Sequence, residues 1–176
     1  EGDGVAKSIK KSIYWYKRSA NKGFDSAQLN LGIIYARHFK NYKKAIQLYK
    51  LAAKQGNRNA QYNLGLYYDE GRGIKSDIKK AFQHYLKAAK QGVVDAQHKI
   101  GYLYHEGLGT RLNRKEALRW YRKAAKQGNV YSMYNLGLCY LDGDGVPKKE
   151  QQAVKWFKLA ADKGHKKAQM KVKNIE

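Results

Sequence analysis

Apolar side chains recur along this chain with the period of a helix. In the segment that starts at Ala60, the apolar positions are Ala60, Leu64, Tyr67 and Tyr68. That spacing of i, i+4, i+7 and i+8 puts all four on one helical face. The same spacing starts again at Ala27, Ala96 and Ser132. A second kind of segment alternates with the first. Its apolar face is represented by Ala81, Tyr85, Ala88 and Ala89, and its copies end on Gly23, Gly56, Gly92, Gly128 and Gly164. Glycine in that place suits the left-handed residue that closes a helix.

The two segments form a unit that repeats in register. The first segments read AQLNLGIIY, AQYNLGLYY, AQHKIGYLY and SMYNLGLCY, and the second read KAIQLYKLAAKQG, KAFQHYLKAAKQG, EALRWYRKAAKQG and QAVKWFKLAADKG. Each unit therefore predicts helix A, a loop, helix B and a glycine turn. Gly32, Gly65, Gly101 and Gly137 lie inside helix A, where glycine costs about 1 kcal/mol relative to alanine. Its return at all four places predicts a close helix–helix contact. One pair cannot bury its apolar face alone, whereas stacked neighbours can. The expected organisation is one continuous solenoid domain. It comprises a partial repeat over 1–26, a repeat with a shortened loop over 27–59, repeats over 60–95, 96–131 and 132–167, and a polar capping helix over 168–176. EGDGV at residues 1–5 matches the DGDGV loop at 142–146, so the chain is expected to begin inside a repeat of a longer parent.

The pattern A-x-x-x-L-G-x-x-Y, a G-x-G loop, then K-A-x-x-W-Y-x-x-A-A-x-x-G resembles the Sel-one-like repeat family, relatives of the tetratricopeptide repeats. The resemblance implies an all-α fold: an α/α solenoid with a right-handed superhelix of antiparallel helix pairs, about ten helices in all. It also implies a scaffold or adaptor for protein partners, with A helices lining a concave groove. Two departures stand out. YARHFKNYKKA (35–45) replaces the G-x-G connection of the first full repeat, and its NYKKA is closer to the tetratricopeptide form. Some bacterial members pin each repeat with a disulfide, which a chain whose only cysteine is Cys139 cannot do.

Charge adds a second candidate surface. The formal net charge is +22, from 36 basic and 14 acidic residues. The four complete A helices carry Arg37 and Lys99 against Asp69, Glu70, Glu106 and Asp142, so the excess sits on the B helices. A basic B face is either a solvated wall or a contact for nucleic acid or anionic membrane. Lysine outnumbers arginine, and lysine grips phosphate less specifically. Trp15, Trp120 and Trp156 fall beside the buried face and read as core.

Helix A has a second stripe, at its third, seventh and tenth positions. It reads Leu29, Ile33, Ala36; Tyr62, Leu66, Asp69; His98, Tyr102, His105; and Tyr134, Leu138, Leu141. A solvated face should be polar, and this one is mostly apolar or aromatic. It either packs between repeats or lines a groove. The expectation is mixed: position seven partly buried, positions three and ten exposed. The expected partner-binding residues are Leu29, Ile33, Tyr62, Leu66, Asp69, His98, Tyr102, His105, Tyr134 and Leu138. Tyrosine suits such a role, being large and rigid with a polar tip. Asn30, Asn63 and Asn135 are expected to hydrogen-bond the neighbouring repeat.

The remaining chemistry points away from catalysis. Neither H-E-x-x-H nor G-x-S-x-G nor a P-loop occurs. His98 and His105 are two turns apart, too far for one metal without other ligands, and Cys139 falls on the buried face. DGDGV departs from a calcium loop because Val146 stands at a ligand position. The expected function is non-catalytic capture of a protein or peptide, with no cofactor, metal or small-molecule substrate. The alternative is an electrostatic binder of nucleic acid or anionic membrane; a third reading is an architectural spacer. A lone cysteine and the lack of a recognisable leader fit a reducing compartment, and a start without Met fits a trimmed N-terminus.

Overall fold

A computed structural model of the chain describes residues 2–174, with side chains from Ser8 onward. Among the described residues there are ten helices and no strand: α1 (Gly2–Asn21), α2 (Asp25–Arg37), α3 (Tyr42–Lys54), α4 (Arg58–Glu70), α5 (Ile78–Lys90), α6 (Val94–Glu106), α7 (Arg114–Lys126), α8 (Val130–Asp142), α9 (Glu150–Asp162) and α10 (Lys166–Lys173). From α2 to α9 every helix has 13 residues, as a repeating sequence requires. Even-numbered helices are the A type and odd-numbered ones the B type. The chain forms two compact units, Glu1–Ala88 and Ala89–Glu176. Within the first, α1 packs on α2, α2 on α3 and α3 on α4; within the second, α6, α7, α8, α9 and α10 pack in series. Short connections between packed neighbours make successive helices antiparallel.

The helix-A glycines are explained by one contact. The B-helix aromatic of the same repeat lies on each of them: Tyr49 on Gly32, Tyr85 on Gly65, Tyr121 on Gly101 and Phe157 on Gly137. A methyl group at Gly101 would meet the Tyr121 ring at 2.6 Å. Tyr121 is 2% exposed, so the ring has nowhere to retreat. Gly101→Ala should therefore lower stability by about 1–2 kcal/mol, overpacking outweighing alanine's better helix propensity. In a Tyr121→Ala background the same change should be neutral or stabilising. Urea unfolding of the four proteins of that cycle checks both statements, and additive losses would remove the contact as the cause.

A glutamine ladder ties four of the five B helices to the next A helix, and Met133 stands at the fifth place, between α7 and α8. Gln28, Gln61, Gln97 and Gln169 each donate a side-chain N–H to a carbonyl near the end of the preceding B helix, on Ala20, Ala53, Ala89 and Ala161. Gln55 and Gln127 then donate to the Oε1 atoms of Gln28 and Gln97, at 2.9 and 2.7 Å. Buried polar groups are thereby satisfied at the turns. Asn57 and Asn129 cap α4 and α8 and also donate to Asp25 and Asp95 at the starts of α2 and α6. At the B-to-A turns, Gly128 has φ 93°, the left-handed conformation expected of a closing glycine.

Two expectations change. Residues 2–5 are helical, part of α1, where a loop matching DGDGV was expected. In the true loops the first glycine N–H bonds back to the preceding A helix, as Gly143 does to the Cys139 carbonyl. Trp15 is 53% exposed, whereas its equivalent Trp120 is 7% exposed and Trp156 is half-buried. The Trp15 ring is met by Tyr14 edge-on and by Arg18, and no described helix covers it. The shortened loop turns on Lys40, at φ 53°, with Asn41 capping α3 through the Lys44 N–H. Residues 175 and 176, the end of the expected capping segment, lie outside the described residues.

Candidate interaction surface

The stripe of helix-A residues is less open than its sequence suggests. The ring of the B helix that lies on the glycine also reaches position three of the same A helix. Ring centres are 5.7 Å apart for Tyr62 and Tyr85, 5.9 Å for His98 and Tyr121, and 5.6 Å for Tyr134 and Phe157. Tyr62, His98 and Tyr134 are half-buried for that reason, and Leu29 is buried outright in the core with Leu31, Ile46 and Leu64. Position seven is the more accessible one: Ile33, Leu66 and Leu138 are half-buried and Tyr102 is 44% exposed. At position ten, Asp69 accepts the Tyr85 hydroxyl at 3.0 Å, and His105 bridges Glu106 and Asp144 at 2.8 and 3.0 Å. Exposure at positions three and ten is thus corrected to burial at Leu29 and Ala36 and to half-burial in the later repeats, where helix-B rings and loop carboxylates occupy the adjoining space.

The first unit holds one part of the stripe. Ile33 and Leu66 line a cleft of 230 Å³ with Tyr42, Tyr67, Arg37 and Arg72. Tyr62 and Asp69 meet through Tyr85, which touches both.

The second unit assembles a larger feature. A cleft of 730 Å³ is walled by His98 and Tyr102 of α6, Val130, Tyr131, Tyr134 and Asn135 of α8, and Lys163–Lys167 at the turn into α10. Its rings are mutually packed. Tyr134 stacks on His165 at 4.5 Å, Tyr131 meets His165 edge-on at 5.5 Å, and His98 lies 6.0 Å from Tyr131. His98 Nδ1 is 3.0 Å from the Ser132 hydroxyl. Ser132 stands where other repeats have alanine, and it meets the only histidine at position three. Burial, and then the Lys99 charge, pull the His98 pKa down to about 4, so the ring is neutral near pH 7. His165 caps α10, its Nδ1 accepting the Ala168 N–H, which leaves its proton on Nε2. Burial and Lys167 lower its pKa as well. A smaller cleft of 180 Å³ adjoins through Tyr102 and takes in His105 and Leu138.

Of the expected residues, the structure brings His98, Tyr102 and Tyr134 together, and separately Tyr102, His105 and Leu138. Tyr131, His165 and the nearby lysines were missed because they lie outside the three-seven-ten stripe. The available signal was positional: Asn57, Asn129 and His165 share the cap position, and each rests against the previous A helix, on Asp25, Asp95 and Tyr134. Asn135 stands near Tyr121 of the preceding repeat and acts on its hydroxyl electrostatically. Cys139 is 3% exposed, and burial followed by the nearby Asp144 and Asp142 pushes its thiol up to about 12, as for a core residue. Asp144, the suggestive carboxylate of the DGDGV loop, is held by His105 and by Arg114 Nε at 3.0 Å.

Comparison with known proteins agrees with this architecture. The Sel1 repeat pattern matches residues 1–24, 25–57, 58–93, 94–129 and 130–165. A Sel1 repeat protein from Oxalobacter formigenes is 36% identical, with a TM-score of 0.84 over 96% of this chain and 73% of that one. A protective antigen of uropathogenic Escherichia coli with an SLR fold is also 36% identical, with a TM-score of 0.82 over 86% of this chain. The match spans 33% of the antigen, about a third of its length. Cysteine rich protein B of Helicobacter pylori is 28% identical, with a TM-score of 0.59 over 75% of this chain and 97% of that one. No curated protein matches. The fold class is the all-α repeat solenoid of these neighbours. Sel1 repeat proteins are generally non-catalytic scaffolds for protein–protein interaction. With the repeat pattern running from residue 1 to 165, the chain belongs to the Sel1 repeat family.

Proposed function

We propose that this chain captures an unstructured segment of a partner protein on the face presented by its A helices, without catalysis. The observation that carries this reading is the 730 Å³ cleft of the second unit, where Tyr102 and Tyr131 remain 44% and 63% exposed. Exposed tyrosines around a concave feature are what a peptide anchor needs: large area, little entropy to lose and a polar tip. Ile33 and Leu66 offer a smaller cleft of the same kind in the first unit. Leu29 takes no part in this reading, because it is core.

The test uses a random-peptide display library selected on the intact protein. Recovered peptides should bind Tyr102→Ala/Tyr131→Ala about tenfold more weakly, the size of loss expected on truncating interface tyrosines. The circular dichroism spectrum should not change, since both side chains project from the core. Binding that ignores both substitutions and falls steeply with salt would instead favour the basic B-helix face as the functional one. Failure to recover any peptide would sink the reading.

A further inference from the structure

The second-unit cleft is chemically lopsided. Lys163, Lys166 and Lys167 line it, and no aspartate or glutamate does. Among the described residues none of the three ammonium groups is paired with a carboxylate. Asp95, whose charge His98 feels, accepts a hydrogen bond from Asn129. Both histidines of the wall are neutral near pH 7, so the positive charge there comes from the three lysines alone. Beside them stand exposed Tyr131 and Tyr102 and the apolar Val130.

These features discriminate among occupants. A ring of aromatics can hold a cation, but three ammonium groups on the same rim repel one. A nucleic acid strand would use the lysines for phosphate and open ring faces for bases. Here the face of Tyr134 is already covered by His165 at 4.5 Å, and Tyr131 and His165 meet edge-to-face at 82°. The His165 and Tyr134 faces are therefore engaged with each other, and a strand that needs successive stacking platforms finds a broken row, whereas the exposed Tyr102 and Tyr131 side chains stay available to a single anchoring side chain. Resting on the helix-A reading above, we infer that the occupant of this cleft is an acidic peptide segment: an aromatic or large aliphatic anchor set against Tyr102 and Tyr131, flanked by carboxylates that meet Lys163, Lys166 and Lys167.

The peptides recovered by display decide this. They should be enriched in Asp and Glu on either side of an aromatic or large aliphatic residue. A fluorescein-labelled peptide of the recovered consensus should bind about tenfold more tightly at low salt than its counterpart with Gln and Asn for Glu and Asp. Lys163→Gln/Lys166→Gln/Lys167→Gln should reduce the acidic peptide to the level of the amide peptide and leave the amide peptide's affinity and the melting temperature unchanged. Neutral or basic selected sequences, or equal binding of the acidic and amide peptides, would overturn the acidic assignment while leaving the helix-A reading intact. Binding unaffected by Tyr102→Ala/Tyr131→Ala would remove both. Labelled oligouridylate that bound tightly and was released by Tyr131→Ala would overturn the peptide assignment in favour of single-stranded nucleic acid.

Discussion

Gly145→Ala should lower the stability of the second unit by about 3 kcal/mol, whereas Gly143→Ala, two residues away, should cost only about 1 kcal/mol. Both glycines are left-handed, with φ of 71° and 80°. Conformation alone therefore does not separate them, and Lys40 at φ 53° shows that this chain tolerates a side chain in that region. The difference is what surrounds each residue. A methyl group on Gly143 would find its nearest neighbours at 3.6 Å, an ordinary contact. On Gly145 it would meet the carbonyl oxygen and carbon of Arg114 at 2.5 and 2.6 Å. Those are main-chain atoms at the start of α7, and that start is fixed by Asn113, which caps the helix through the Glu116 N–H. Arg114 is also bound to Asp144 of the loop itself. The loop cannot back away without breaking that pair and the hydrogen bond that Asp144 accepts from His105 Nε2. Urea unfolding followed by circular dichroism measures the two losses, and hydrogen exchange in α7 and α9 locates them. Equal losses would show that left-handed backbone, not the approach to Arg114, is what the glycine serves.

The loop illustrates what a sequence of this kind reveals. Its identity as the A-to-B connection follows from alignment with its copies, and the ten-helix plan follows from the period of Ala60, Leu64, Tyr67 and Tyr68. The close approach at Gly101 is likewise legible as a glycine kept where glycine is costly. Its partner is not, because nothing along the chain says that the Tyr121 ring lies on it. That contact is set by how helix B crosses helix A, a tertiary fact. The same crossing explains why the candidate surface was only partly legible. Tyr62, His98 and Tyr134 look like exposed residues on a helical wheel, which counts one helix at a time. Each is leaned on by a B-helix ring from its own repeat, and in the second unit the next turn adds Tyr131 and His165 from outside the stripe. Trp15 shows the converse: its place beside the buried face predicts core, but burial depends on a covering neighbour that the wheel does not represent.

Acid should weaken this protein before its carboxylates titrate, and His98 should be the largest single reason. The folded protein holds its pKa near 4, against about 6.5 in an unfolded chain. The unfolded state therefore binds the proton first as pH falls. The stabilisation is fully present above about pH 6.5 and is lost progressively as pH drops through about 4, roughly 3 kcal/mol in all. The groups around the ring support that sign. Tyr121 of α7 and Tyr131 of α8 enclose it, the Lys99 charge opposes protonation, and Asp95 opposes this only in part. His84 and His165 are shifted in the same direction, so His98→Gln should flatten the decline between pH 7 and pH 4.5 without abolishing it. Asp25 and Asp77 have lowered pKa values, so their contributions fade only below the usual carboxylate range. Unfolding curves across that interval test the slope, and a proton NMR titration of the His98 ring tests its origin; a midpoint near 6.5 would rule this ring out. Because His98 is also a wall of the cleft through Ser132 and Tyr131, charging it should disrupt peptide capture over the same interval, ahead of global unfolding. The stability of the fold and the integrity of its most site-like surface thus depend on the same neutral imidazole.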